Sequence, residues 1–257
     1  MDIQGKVVVV TGGASGLGLA AAKAFHNKGA QVNLFDLNEE AGLSVTQEIG
    51  NGCAFFQVNV TDESSVQQAI DDIVAKQGAI HVVLNCAGIG PPEKAIDRDG
   101  HVLPLEKFKR IIDINLVGSF NVLSKAVGYM AKQAAVTEDG GRGVIINVAS
   151  VAAFDGQIGQ PAYAASKAGI VGMALPLARE FARYGVRVNT IAPGLFLTPL
   201  AESLGEKVVD ALGQAVEYPK RLGRPEEFAH WAVAMVENDY LNGEVIRLDG
   251  AIRMSAK

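Results

Sequence analysis

Four side chains along this sequence are of types that together could move a proton to or from an oxygen atom. Tyr163 and Lys167 are four residues apart in a helical pattern, so both lie on one helix face. Ser150 directly follows an apolar run at residues 144–149, and Asn115 is a polar amide inside an apolar helical stretch. A free phenol has a pKa of about 10, and a neighbouring ammonium lowers it by favouring phenolate. We therefore expect Tyr163 to act as acid or base on a substrate oxygen to which Ser150 donates a hydrogen bond.

A glycine-rich turn follows the first apolar strand of the chain. Gly12, Gly16 and Gly18 stand between residues 7–10 and a helical pattern. Glycines permit a tight turn and a close approach of the backbone to a pyrophosphate, and the helix N-terminus offers free N–H groups to it. The spacing differs from G-x-G-x-x-G, so the turn alone is weak evidence. Its place between a strand and a helix favours a phosphate site over a merely structural turn.

Asp36 ends the second strand, at a position suited to bind a ribose. A carboxylate there accepts hydrogen bonds from both ribose hydroxyls and repels a 2′-phosphate. The neighbouring Leu37, and Ala14 in the glycine turn, supply no basic group for such a phosphate. These residues predict NAD rather than NADP as the cofactor. Capping of the following helix is an alternative role for Asp36 and is compatible with the first.

Short β-branched strands alternate with longer helical stretches over the whole chain. The predicted strands are residues 7–11, 31–36, 54–59, 80–85, 144–149, 187–192 and 244–248. The predicted helices include residues 17–28, 39–49, 64–77, 106–132, 162–184 and 226–237. Nearly continuous apolar strands that alternate with helices build a parallel sheet covered on both faces. The sequence therefore predicts one α/β domain, a Rossmann-type fold that spans residues 1–257.

Two segments do not fit this alternation. Residues 90–104 are polar and contain three prolines, and residues 195–218 are long and rich in apolar residues. Long connections in a compact domain are usually functional loops, so we expect the second to be a mobile substrate loop. The apolar residues expected to cover a substrate are Leu195, Phe196, Leu197, Leu200, Leu204, Val208, Val209 and Leu212.

Composition excludes several classes of function. The chain has 257 residues, of which 49% are hydrophobic, and its net charge of −5 argues against a nucleic-acid-binding protein. No apolar run is long enough to span a membrane, and the two cysteines do not form a disulfide framework. The first strand begins almost at the N-terminus, so we expect a cytoplasmic protein. The four histidines lack the spacing of metal ligands, so we expect no metal.

These motifs together resemble the short-chain dehydrogenase/reductase family over essentially the whole chain. The matching positions are Thr11, Gly12, Gly16, Gly18, Asn85, Cys86, Ala87, Gly88, Asn115, Ser150, Tyr163, Lys167, Pro193 and Gly194. The resemblance implies a seven-stranded sheet, a catalytic tetrad of Asn115, Ser150, Tyr163 and Lys167, and a homotetramer. It also implies that Lys167 holds the nicotinamide ribose and that Asn115 keeps a water molecule in a proton relay.

The resemblance further implies a set of contacts with NAD. These residues are Gly12, Ser15, Gly16, Leu17, Gly18, Asp36, Asn59, Val60, Cys86, Ala87, Gly88, Tyr163, Lys167, Pro193, Gly194, Phe196 and Thr198. Two positions depart from the usual family pattern. Asn59 stands where an aspartate commonly contacts adenine, and we expect its amide oxygen to accept from the adenine amino group, with weaker binding. Cys86 stands where the family usually has a second asparagine.

Within the family, residues 143–154, 191–196 and 241–254 and the insertion at residues 90–104 resemble the branch that oxidises 3-hydroxyacyl-CoA thioesters. Lys94, Arg98, Lys207, Lys220, Arg221 and Arg224 flank the two long segments and could pair with coenzyme A phosphates. The same apolar segment would also suit a hydroxysteroid or another secondary alcohol. A redox-silent protein that senses NAD or acts as a scaffold is a third hypothesis, because fold alone does not fix function. The complete catalytic set argues against that third hypothesis.

Overall fold

The computed structural model describes residues 1–202 and 205–256, and at residue 200 only the backbone. The described strands are β1 (Val7–Thr11), β2 (Gln31–Asp36), β3 (Cys53–Gln57), β4 (Val82–Asn85), β5 (Gly143–Val148), β6 (Val186–Pro193) and β7 (Val245–Leu248). The described α-helices are α1 (Gly16–Asn27), α2 (Glu39–Ile49), α3 (Glu63–Gln77), α4 (Leu105–Ile112), α5 (Gly118–Met130), α6 (Pro161–Phe181), α7 (Pro199–Glu202), α8 (Glu206–Gln214) and α9 (Pro225–Glu237).

All seven strands form one parallel sheet, in the order β3-β2-β1-β4-β5-β6-β7. The predicted single-domain Rossmann fold is therefore confirmed. The strand order reverses between β1 and β4, and ligands of open α/β sheets bind at the carboxyl edge of such a reversal. Among the described helices, none is both long and apolar enough to cross a membrane.

The helices bury both faces of the sheet, as the apolar strands require. Side chains alternate along β1, so that Val8 and Val10 join the core under α1 and α9, whereas Val7 and Val9 join the core under α3, α5 and α6. All four valines have at most 2% of their surface exposed. The two cores hold the carboxyl ends of the strands in fixed positions, and the predicted site residues follow those ends.

The third strand ends earlier than predicted. It spans Cys53–Gln57 instead of residues 54–59, which leaves Asn59 in the connection to α3. The side-chain oxygen of Asn59 accepts hydrogen bonds from the N–H and the hydroxyl of Thr61. Such a local bond between side chain and backbone competes with strand pairing and turns the chain.

The predicted helix at residues 106–132 is interrupted. A π turn at Asp113–Val117 separates α4 from α5, so the prediction of one regular α-helix was wrong. π turns are rare and are found mainly at functional sites. Asn115 lies in this turn and is completely buried, which places its amide away from the regular helix faces.

The two segments that were predicted as loops differ in the structure. Residues 90–104 lack helices and carry one antiparallel bridge between Ile96 and Val102. Residues 195–218 instead contain α7 and α8, so the prediction of a loop there was wrong for the described part. Five of the nine residues of α8 have good helix propensity and favour this helix, namely Glu206, Lys207, Ala211, Leu212 and Gln214.

Candidate active site

A cleft of about 1250 Å³ lies along the carboxyl edge of the sheet. Asp36 and Asn59 border one end, and Ser150, Tyr163 and Lys167 border the other. Every residue that was predicted to bind the cofactor borders this cleft, while their roles remain predictions. Single drug-sized ligands occupy about 300–1,000 Å³, so this cleft has room for a dinucleotide and a substrate together.

Close packing at Gly18 and Gly12 and a positive φ at Gly12 and Gly16 make glycine necessary at these positions of the turn. A Cβ atom on Gly18 would lie 2.2 Å from the carbonyl oxygen of Gly12, and one on Gly12 would lie 3.0 Å from the backbone of Ala87. Gly12 and Gly16 also have positive φ angles, of 63° and 54°. The backbone of the turn therefore borders the cleft directly, with the N-terminus of α1 behind it.

Thr11 joins the glycine turn to the end of β4. Its hydroxyl oxygen accepts hydrogen bonds from the N–H groups of Cys86 and Ala87, both at 3.0 Å. Thr11 has 1% of its surface exposed. Thr11 was identified from the sequence only as a position that matches the family. Its place as a polar side chain at the end of an otherwise apolar strand is the signal from which this role could have been predicted.

The Asp36 carboxylate is hydrogen-bonded to the glycine turn and does not cap the next helix. One carboxylate oxygen accepts from the N–H of Ala14 at 3.2 Å, and the other accepts from the N–H of Asn38 at 3.1 Å. Asn38, and not Asp36, caps α2 by accepting from Ala41. The alternative role of Asp36 as the helix cap is therefore wrong, and its carboxylate borders the cleft beside the glycine turn.

Asn59 does not present its amide oxygen freely to the cleft. That oxygen accepts from the Thr61 N–H at 3.1 Å and from the Thr61 hydroxyl at 2.8 Å. The expectation that this oxygen accepts from an adenine amino group remains a prediction, and the two hydrogen bonds from Thr61 argue against it. The backbone geometry around Thr61 determines which atom of the amide faces the cleft.

Ser150 and Tyr163 form the opposite end of the cleft. Ser150 follows β5 in extended conformation, and its hydroxyl oxygen accepts from the N–H of Ala152, which caps a short 3₁₀ turn at Val151–Ala153. Tyr163 lies in the first turn of α6. Burial raises the pKa of the Tyr163 phenol, and a hydrogen bond with the Ser150 hydroxyl opposes that increase. The unliganded phenol is therefore protonated at neutral pH, and the expected lowering of its pKa is not seen.

Lys167 explains why the phenol pKa is not lowered. Its ammonium is buried and donates to the carbonyl oxygen of Val148 at 2.8 Å. It lies 5.7 Å from the centre of the Tyr163 ring, so its charge faces the ring rather than the hydroxyl. Burial lowers the pKa of Lys167 to about 8. Burial also raises the pKa of the adjacent Cys86 thiol to about 11, so that thiol is neutral.

Asn115 holds the loop after β4 in place. Its amide nitrogen donates to the carbonyl of Ile89 at 2.9 Å and to the hydroxyl of Ser166 at 3.0 Å, and its oxygen accepts from the Ile89 N–H at 2.8 Å. Ser166 in turn donates to the carbonyl of Tyr163. The π turn thus links the loop to the helix that carries Tyr163 and Lys167. Ile89 and Ser166 were missed by sequence reasoning, because ordinary apolar and small residues give no motif.

Among the described residues of the segment after β6, those that border the cleft lie at its beginning. Leu195, Phe196 and Thr198 line the cleft, whereas Val208 is exposed on α8. Phe196 is 8% exposed and packs edge-on against Phe228, so it belongs partly to the core. Of the other apolar residues expected to cover a substrate, Leu204 and the side chain of Leu200 lie outside the described residues.

The described residues fit a nicotinamide dinucleotide. Gly16 and Thr198 both border the cleft, and a Cβ atom on Gly16 would meet only Thr198, in van der Waals contact at 3.7 Å. A carboxylate borders the ribose position, and polar side chains lie at the far end of the cleft. In the exposed segment of residues 90–104, the Nδ1 atom of His101 lies 3.1 Å from a carboxylate oxygen of Asp97.

Comparison with known proteins shows to which family this chain belongs. The family model for short chain dehydrogenases matches residues 6–209. The chain is 52% identical to 3-hydroxyacyl-CoA dehydrogenase type-2 of Homo sapiens, with 98% of this chain and 97% of that protein covered. It is 36% identical to a 3-oxoacyl-(acyl-carrier-protein) reductase of Thermotoga maritima, with 98% of this chain and 99% of that protein covered.

A solved structure agrees over the same length. The crystal structure of 3-hydroxyacyl-CoA dehydrogenase type-2 from Mycobacterium avium superposes with a TM-score of 0.91 at 39% identity, and covers 98% of this chain and 97% of that one. The chain therefore belongs to the short-chain dehydrogenase family and is an oxidoreductase that acts on CH–OH groups.

Proposed function

We propose that this chain is an NAD-dependent 3-hydroxyacyl-CoA dehydrogenase that interconverts 3-hydroxyacyl-CoA and 3-ketoacyl-CoA. The observation that carries the proposal is the grouping of Ser150, Tyr163 and Lys167 at one end of a cleft whose other end carries Asp36. The names of the human and mycobacterial relatives support the substrate class.

In this proposal the chain positions the substrate oxygen and handles its proton. Bound NAD supplies the hydride acceptor, and NADH the donor in the reverse direction. The Ser150 hydroxyl donates a hydrogen bond to the substrate oxygen and fixes its position. Tyr163 gives its phenolic proton to that oxygen in reduction and takes it back in oxidation. Lys167 would hold the nicotinamide ribose, and Asn115 keeps the loop of Ile89 in place.

The border of the cleft supports an acyl substrate. Leu195, Phe196 and Met254 line it beside the catalytic end. Each square ångström of apolar surface that an acyl chain buries there stabilises the complex by about 25 cal/mol. Of the basic residues that could pair with coenzyme A phosphates, Arg221 already pairs with Glu227 and Lys220 with Glu217. We propose that the phosphates pair with the remaining ones, namely Lys94, Arg98, Lys207 and Arg224.

The substrate test compares acetoacetyl-CoA with acetoacetate and a 17-ketosteroid under one set of conditions. We expect the highest kcat/KM for acetoacetyl-CoA, because only that substrate carries the phosphates and the thioester. The advantage should decrease as salt is added, since salt screens the charge pairing. A higher kcat/KM for the ketosteroid would favour the hydroxysteroid or secondary-alcohol hypothesis. No turnover of any of the three with NADH would favour a redox-silent scaffold.

Replacement of Asp36 by Ala tests the preference for NAD. We expect the wild type to use NADH with a clearly higher kcat/KM than NADPH, because the carboxylate repels the 2′-phosphate. In Asp36→Ala the preference should shrink by about tenfold or more, which corresponds to the loss of about 1.4 kcal/mol of discrimination. Asp72→Ala, on α3 and outside the residues that border the cleft, is the matched control and should keep the wild-type ratio. Equal use of both cofactors by the wild type would contradict the role of Asp36.

We further propose a homotetramer, assembled through α4, α5, α6 and the C-terminal segment. Leu105, Phe120 and Leu175 on these helices expose 63%, 47% and 46% of their surface. Burial of such side chains between symmetric copies is the usual way to remove them from water. Light scattering at micromolar concentration should give four times the mass of one chain. A stable monomer would contradict this assembly.

A further inference from the structure

The end of the cleft beyond Asp36 is suited to a flat nucleobase. Leu37 and Val117 are 63% and 49% exposed, and both border the cleft together with Asn59, Val60 and Thr61. The glycine turn lies on β1 and the catalytic residues on the β5 side, so the base of a bound dinucleotide must lie toward β2 and β3. This inference rests on the proposed binding of NAD in this cleft.

Two donors of Thr61 determine the orientation of the Asn59 amide. The Thr61 N–H can only donate, so the atom 3.1 Å from it must be the amide oxygen of Asn59. The Thr61 hydroxyl donates to the same oxygen at 2.8 Å. The NH₂ group is therefore the part of the amide that remains for a ligand. Asn59 is exposed and borders the cleft, so that group is accessible.

The adjacent backbone adds a second donor. The carbonyl of Val60 accepts from the side chain of Asn121 at 2.8 Å, which holds this part of the chain. The Val60 N–H has no hydrogen-bond partner within the part of the chain that the structure describes. A base at this end of the cleft therefore meets two donors, the Asn59 NH₂ and the Val60 N–H.

Two donors do not match the edge of adenine. Adenine offers an acceptor at N1 and a donor at its 6-amino group, so it pairs with the Val60 N–H but places its amino group against the Asn59 NH₂. Hypoxanthine offers an acceptor at O6 and a donor at N1, so it pairs with Asn59 and not with Val60. We propose that Asn59 is a base-specificity residue that makes the cleft bind a 6-oxo purine dinucleotide about as tightly as NAD.

The substitution Asn59→Asp tests this assignment with a change of one atom. One carboxylate oxygen keeps both hydrogen bonds to Thr61, and the second oxygen takes the place of the NH₂ group and accepts from adenine. The added negative charge weakens the binding of both dinucleotides alike, so the ratio of their dissociation constants is the informative quantity. Asn51→Asp, which adds the same charge on an exposed loop that does not border the cleft, is the control.

The measurement is titration calorimetry with NADH and with reduced nicotinamide hypoxanthine dinucleotide, without substrate. We expect similar dissociation constants for the two dinucleotides in the wild type and in the Asn51→Asp control, because each dinucleotide makes one hydrogen bond there. In Asn59→Asp, NADH makes two of these bonds and the hypoxanthine dinucleotide none, so we expect a preference for NADH of about thirtyfold, the effect of two hydrogen bonds. A preference of the wild type for NADH as large as that of Asn59→Asp would overturn the inference. Failure of all three proteins to bind either dinucleotide would instead overturn the proposed cofactor, and this inference with it. This measurement does not test the proposed acyl-CoA substrate, because no substrate is present.

Discussion

Replacement of Tyr163 by Phe is expected to reduce kcat by about 10²–10⁴-fold, the usual contribution of a positioned acid or base. The phenol is the group beside Ser150 that carries a proton at neutral pH, because burial raises its pKa. Phe keeps the ring that packs near Lys167, so the cleft should keep its shape. Steady-state kinetics with acetoacetyl-CoA and NADH measures kcat, and titration calorimetry should show an unchanged dissociation constant for NADH.

The control for this substitution removes a phenol elsewhere. Tyr184 is half-buried after α6, away from the residues that border the cleft, and Tyr184→Phe should keep the wild-type kcat. Substantial turnover in Tyr163→Phe would mean that another group supplies the proton. Lys167, whose pKa of about 8 leaves it able to exchange a proton near neutrality, would then be the candidate.

Replacement of Gly18 by Ala is expected to damage both folding and cofactor binding. The added methyl group would lie 2.2 Å from the carbonyl oxygen of Gly12. Because the methyl group is attached to backbone and the oxygen belongs to backbone, the two can separate only if the turn itself moves. Overpacking of this kind costs about 1–3 kcal/mol of unfolding free energy, and more where backbone is involved. A displaced turn also moves its N–H groups, so NADH affinity should fall by about tenfold or more. Denaturant unfolding and calorimetry measure the two effects.

Gly128 provides the matched control for this substitution. It lies in α5, is exposed, and has no atom within 4 Å of the position of a Cβ. Gly128→Ala should raise the unfolding free energy by about 0.5–1 kcal/mol, because alanine has the higher helix propensity. If Gly18→Ala changed neither the unfolding free energy nor the affinity for NADH, the turn would not need its close packing to bind the dinucleotide.

The sheet and the two ends of the cleft could be predicted from the sequence because both depend on local patterns. Apolar runs such as residues 7–11 and 144–149 must be buried on both faces, and this alone fixes a parallel sheet with two helical layers. The residues at the carboxyl ends of parallel strands then meet at one edge, which brought Asp36 and Ser150 to the same cleft.

Features that depend on contacts between distant parts of the chain could not be predicted. The interruption of the helix at Asn115 is stabilised by hydrogen bonds to Ile89 and Ser166, which lie 26 and 51 positions away. The raised pKa of Tyr163 depends on burial by the folded chain, whereas the sequence shows only the nearby Lys167. The orientation of the Asn59 amide depends on a backbone turn at Thr61, which propensity does not reveal.

The π turn at Asp113–Val117 also determines how the chain tolerates a change in length. One residue of an α-helix corresponds to a rotation of about 100° around the helix axis. A π turn, with its i→i+5 hydrogen bonds, holds one residue more than a turn of α-helix. Deletion of one residue inside Asp113–Val117 would therefore leave a regular helix in which α5 keeps nearly its orientation relative to α4. Deletion of one residue in the regular part of α4 would instead rotate α5 by that angle, and Val122, Leu123 and Ala126, which are completely buried under the sheet, would turn away from it. The damage from a deletion inside the π turn should be local, because it displaces Asn115 from its hydrogen bonds to Ile89 and Ser166.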